Sequence, residues 1–152
     1  MGKHSATNKI VINGSKQDCF DAITQYESFH EWQSAVEGVE ILETDGQGRG
    51  KVVEMKVDAK FKKIRYRLHY HYDEPNKIWW DFLEGDVKEI GGAYWFEEQG
   101  SGRTLATYTV EIDPGFWVPG RMVKMINSEL LKRSIEELKE RVESKLAGGL
   151  EG

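Results

Sequence analysis

The residues best suited to proton chemistry lie in two neighbouring stretches, "IRYRLHYHYD" (64–73) and "KIWWDFLEG" (77–85). In the first, Ile64, Tyr66, Leu68, Tyr70 and Tyr72 alternate with Arg65, Arg67, His69, His71 and Asp73. A period of two marks a strand with one buried face, because successive side chains point to opposite sides of a sheet. In the second, the phase that buries Ile78, Trp80 and Phe82 brings Glu84 to the end of the same face. Desolvation there would raise the pKa of Glu84, making it a candidate acid or base toward a bound molecule. The alternative is a rim carboxylate that caps a turn. Tyr70 is the second candidate, a phenol turned inward on a strand. Buried tyrosine hydroxyls call for an explanation, since each one left without a partner costs about 1–3 kcal/mol.

Applied to the later strands, the same phase turns Tyr94 and Phe96 inward, followed by Ala106, Tyr108, Val110 and Ile112. With Tyr66, Leu68, Tyr70, Trp80 and Phe82 they form a concave aromatic wall, facing Met122, Met125 and Ile126 on a C-terminal helix. Rings and thioethers with a few orienting hydroxyls are the usual composition of a small-molecule pocket. A core filled by the rings themselves is the competing reading.

Other reactive residue types are poorly placed for chemistry. His69 and His71 share the outer face at a spacing of two, but no further ligand stands nearby in sequence to complete a metal site. Neither a metal nor a cofactor is therefore expected. Cys19 sits on the apolar side of a helix beside Phe20 and Ile23, with no basic helper, and reads as an inert buried thiol. There is no serine nucleophile elbow, phosphate-binding glycine loop or zinc spacing; "GQGRG" (46–50) reads as a hairpin turn.

The 152 residues suit one domain over 1–152, large enough for a core of its own. A formal charge of -5 argues against a dedicated nucleic-acid binder. A strip at 60–67, with Lys63, Arg65 and Arg67 outward, nevertheless offers a weak contact for an anionic membrane or RNA. Apolar runs fall short of the roughly 18 residues of a membrane span, and no signal-peptide core precedes the first strand; a cytoplasmic location is expected. Trp79, Leu83 and Trp95 point outward in this phase, so oligomerisation is possible.

These side chains need a framework, and turn chemistry supplies its outline. A strand at 8–13 leads into a helix with Ser15 as N-cap and Asp18 three residues on. Tyr26, Phe29 and Trp32, three apart, mark a second short helix. Strands follow at about 36–44, 50–58, 61–73, 77–84, 88–99 and 103–113, separated by "DGQG", "DAK", "DEPN", "GD" and "GSG", a pattern that implies an antiparallel meander. Pro119 opens a last helix of some 28 residues, with apolar positions every three or four residues from Met122 to Leu146 and "AGG" as its close.

In this order, "FHEWQSAVEGVEIL", "YHYDEPNKIWWDFLEGDVKEIGGAYWFEE" and "YTVEIDPGFWVPGRMV" resemble the START or birch-pollen-allergen-like superfamily, and within it the polyketide cyclase/dehydrase and coenzyme Q-binding group. The resemblance covers about residues 8 to 145. It implies an α+β helix-grip fold: a strongly curved antiparallel sheet of about seven strands on a long C-terminal helix, with two short helices after strand 1 and a cavity between sheet and helix. It also implies binding or carriage of an apolar or aromatic small molecule (a lipid, quinone or polyketide-like compound), or a cyclase/dehydratase acting in the same cavity. A ribosome- or RNA-associated regulator using the basic strip is the third possibility.

Overall fold

The computed structural model describes residues 4–59 and 62–151, with backbone only at 127–129 and 149–151. Strand β1 (His4–Asn13) is followed by helix α1 (Lys16–Thr24), a 3₁₀ turn (Tyr26–Ser28) and helix α2 (Phe29–Trp32). Six strands come next: β2 (Val36–Thr44), β3 (Gly50–Asp58), β4 (Lys63–Asp73), β5 (Lys77–Gly85), β6 (Glu89–Gly100) and β7 (Arg103–Asp113). Helices α3 (Gly120–Met125) and α4 (Lys132–Glu151) end the chain, joined by a π-helical segment (Ile126–Leu131).

All neighbouring strands pair antiparallel, in the order β1-β7-β6-β5-β4-β3-β2. The chain therefore starts at one edge of the sheet, crosses to the other through α1 and α2, and returns as a meander. Helix α1 starts where its sequence dictates: Asp18 N donates to Ser15 Oγ at 3.0 Å, and Ser15 N donates to Asp18 Oδ2 at 2.9 Å. Its apolar side carries Cys19, Phe20, Ala22 and Ile23 into the core. Burial pushes the Cys19 thiol up to about 12, so it is held as an unreactive thiol.

The structure differs from the sequence expectations in two of these elements, the first strand and the last helix. β1 begins at His4, because residues 4–7 find ladder partners in Thr109–Ile112 of β7 that no local pattern announces. The helix expected to close at "AGG" continues through it to Glu151. Lys60 and Phe61, placed in a strand and in the basic strip, lie outside the described residues.

On the long helix, Ile135, Leu138 and Val142 are at most 2 % exposed and pack in one core with Ile12, Phe20, Val53, Ile78, Phe96 and Ala106. Closer to the start of that helix the sheet and helix separate.

Candidate ligand cavity

The separation encloses a cavity of about 180 Å3 open to the centre of a water molecule. An ordered water needs roughly 10–15 Å3 on that measure, so this space far exceeds a packing defect. At this end of the molecule the rings border open space. Seven of the ten ligand-binding candidates line it: Tyr66, Leu68, Tyr70, Trp80, Tyr94, Tyr108 and Ile126. Three do not. Phe96 is buried in the packed core beyond Tyr94, whose ring it stacks at 6.1 Å. Phe82 lies where β5 has left β6, since the β5–β6 ladder reaches only from Lys77 to Trp80 on its β5 side, and it borders a second, more open recess that shares Trp80 and Ile90 with the cavity. Met122 is not part of the lining, and its neighbour Val123 is.

Glu84 lies on the opposite face from the one expected. Arg67 pairs with Glu84 while Leu68 pairs with Phe82, so Leu83 is an extra residue in β5, a β-bulge. One inserted residue inverts the phase of everything after it. Glu84 consequently emerges on the convex face, its side chain 53 % exposed. There Arg65 Nη1 donates to it at 2.8 Å, and the same nitrogen donates to Glu54 Oε1 at 2.8 Å. Arg67 Nε reaches Glu54 at 3.0 Å. Hydrogen bonds from Arg67 and then Arg65 hold the Glu54 carboxyl below its ordinary value. Glu84 is thus removed from the cavity as a proton carrier. The basic strip is corrected with it: Arg65 and Arg67 belong to this ion-pair network, and Lys63 pairs with Glu37 at 3.1 Å, so these three cations are matched by carboxylates.

Residues that pattern reasoning missed come from the short helices and from the segment after β7. Ile23, Tyr26, Phe29 and Gln33 supply one wall; Pro114, Phe116 and Val118 supply the mouth. The Tyr26, Phe29, Trp32 spacing signalled a helix, and its apolar side was the available hint. At the mouth, Lys62 Nζ lies 4.6 Å from the centre of the Phe116 ring, joining the chain before β4 to the chain after β7.

The tyrosines divide into two groups. Tyr72 donates to the Gly50 carbonyl, which leaves its oxygen free to accept from Tyr26 at 2.7 Å. These two hydroxyls are structural. Tyr66, Tyr70, Tyr94 and Tyr108 have no hydrogen-bond partner among the described residues, and none of their hydroxyls is sealed from solvent-sized space; the one sealed orphan among the described side chains is Trp32 Nε1. Four phenol groups therefore look into the cavity, and this is why β4 turns tyrosines inward. Tyr94 and Tyr108 stack at 4.5 Å with their planes 12° apart, and Trp80 sits 6.0 and 6.2 Å from them.

Burial raises all four phenols above the ordinary value of 10.0, Tyr66 to about 12. At neutral pH they are hydrogen-bond donors and acceptors, not bases. A raised folded-state pKa means stability is intact below pH 10, where the unfolded chain also keeps its protons. It is lost as pH climbs from 10 through the folded values. Ultraviolet titration should accordingly show these phenols un-ionised at pH 11 in the folded protein, with alkaline unfolding exposing them together. Tyr66→Phe should shift that unfolding to higher pH.

An antiparallel sheet curled on a C-terminal helix, with an apolar cavity between them, defines a helix-grip protein. The chain belongs to the family described as polyketide cyclase / dehydrase and lipid transport, whose model matches residues 12–139. No curated protein matches the sequence. Among solved structures, it is similar to a START superfamily protein from Mycobacterium smegmatis, with a TM-score of 0.83 at 21% identity, covering 93% of this chain and 98% of that one. It is similar also to the Zhui aromatase/cyclase from Streptomyces sp. R1128, with a TM-score of 0.78 at 17% identity over 95% and 96% of the two chains. Ara h 8.0201 shares the fold at a TM-score of 0.67 and 14% identity, over 94% and 99%. Among the described residues, no helix is long and apolar enough to cross a membrane.

Proposed function

We propose that this protein binds and carries an apolar, ring-containing small molecule, of the lipid, quinone or aromatic polyketide class, in the cavity between sheet and helix. The observation that carries this reading is the lining: hydrocarbon and aromatic walls into which four unpartnered tyrosine hydroxyls point. Such a site rewards a mostly apolar ligand with a few oxygens, because an oxygen placed against a phenol recovers a hydrogen bond that a pure hydrocarbon would forfeit.

A cyclase or dehydratase is the second reading, favoured by the family and by the likeness to an aromatase/cyclase. Tyr70 would be its proton donor, with the cavity holding a folded chain in a reactive geometry. Binding is preferred because the described lining is predominantly apolar and aromatic, with no carboxylate and a single histidine, His4.

Native mass spectrometry of the freshly purified protein, followed by organic extraction, tests the proposal. The expected result is a discrete apolar adduct, reduced in Tyr70→Ala and in Trp80→Ala. A protein that emerges empty, and then binds no quinone, fatty acid or aromatic polyketide, overturns it. Conversion of a bound polyketide to a dehydrated product would replace carriage with catalysis.

A further inference from the structure

The convex face of the sheet, opposite the cavity, carries a cluster that neither the fold nor the family accounts for. His69 and His71 project from β4, and the register places His69 directly across from Asp81 of β5 and His71 across from Trp79. The available donor atoms of His69, His71 and Asp81 all lie within 4.8 Å of one another. His71 Nε2 is 2.7 Å from Asp81 Oδ2, and the two imidazole rings are 4.4 Å apart. In sequence the third ligand was invisible: Asp81 lies ten residues beyond His71 and reaches it only through strand pairing.

We propose that His69, His71 and Asp81 form a binding site for one late first-row divalent cation of the Zn2+ class. Two imidazoles and a carboxylate are donors this class prefers, and small side-chain rotations suffice to bring them to the roughly 2.0–2.2 Å of zinc coordination. All three are held by paired strands, not by a loop, so little backbone ordering is needed on binding. The Trp79 ring stacks on His71 at 5.3 Å, restricting its rotation. Two cations of the same strands are engaged with other groups: Lys77 lies over the Trp79 and Trp95 rings, at 4.7 and 5.0 Å, and Arg67 is held by Glu54. Asp81 and His71 have side chains 66 % and 31 % exposed, leaving the fourth coordination position to water. On binding, His71 takes the tautomer with its proton on Nδ1, which frees the Nε2 lone pair, and Nε2 and the Asp81 carboxylate both bond the metal.

Isothermal titration of Zn2+ into tag-free, EDTA-stripped and dialysed protein reads the site directly. One equivalent should bind, with affinity falling about tenfold or more in His69→Ala, in His71→Ala and in Asp81→Asn, and unchanged in His30→Ala. As a second readout, Cu2+ should bind more tightly than Zn2+ and quench Trp79 fluorescence, an effect lost in His71→Ala. Equal melting temperatures of wild type and variants in EDTA establish that the variants are folded. Zinc bound equally by wild type and a His69→Ala/His71→Ala double variant, or by neither at millimolar concentration, overturns the proposal. Because this face does not border the cavity, loss of ligand carriage leaves the metal result untouched.

Discussion

Leu138→Ala is expected to destabilise the protein by about 2–5 kcal/mol, a large share of the 5–15 kcal/mol that holds a typical domain folded. Leu138 is 0 % exposed on α4, in the core cluster shared with Ile135, Val142 and the sheet. The lost side chain leaves a hole bounded by strands whose positions are fixed by ladders on both sides, so collapse is limited and the upper part of the range applies. Urea unfolding should show a lower midpoint with an unchanged slope. A loss below about 1 kcal/mol would mean that the helix relaxes onto the sheet, and that grip is looser than the contacts imply. The cavity lies nearer the start of the helix, so ligand binding in the variant should persist below its melting temperature.

Gly92→Ala should act on both stability and binding. A Cβ at this position would stand 2.4 Å from the Thr109 carbonyl oxygen and 2.7 Å from the Trp80 ring. The first clash is with backbone of β7 and cannot be relieved by turning a side chain; the second pushes on the indole that lines the cavity. Overpacking of this kind costs about 1–3 kcal/mol. The expected outcome is a lower melting temperature together with weakened ligand retention in native mass spectrometry. Gly91→Ala, where an added Cβ meets nothing within 4 Å, is the neighbouring control.

The strand limits were legible because the turns are short and carry Gly, Asn, Asp or Pro at each corner, and the alternation between them is regular. From "DGQG" to "GSG", β2, β3 and β7 start and stop where the residues said they would. The inward identity of Tyr66, Tyr70, Trp80, Tyr94 and Tyr108 followed from the same alternation. Glu84 failed for a physical reason: a bulge at Leu83 changes register without changing composition, so strict period-two reading carries the wrong side chain inward. The third member of the histidine cluster escaped because cross-strand partners are set by pairing register, which one strand's pattern does not contain. The walls contributed by Tyr26, Gln33 and Phe116 depend on how helices and the β7–α3 segment fold over the sheet mouth, a tertiary matter with no local period.

The order of strands also bears on how the chain acquires its structure. β1 has one strand neighbour, β7, and the pairing of His4 with Ile112 spans nearly the whole meander. During synthesis the first strand must wait, with an unmatched edge, until the seventh has left the ribosome, whereas β2 to β6 can zip up hairpin by hairpin. Closing so long a loop is paid in entropy before any contact returns it, which places folding of this molecule among the slower single domains. Over that interval a five-stranded intermediate with an open apolar face is the species most exposed to aggregation, and chaperone demand should peak there.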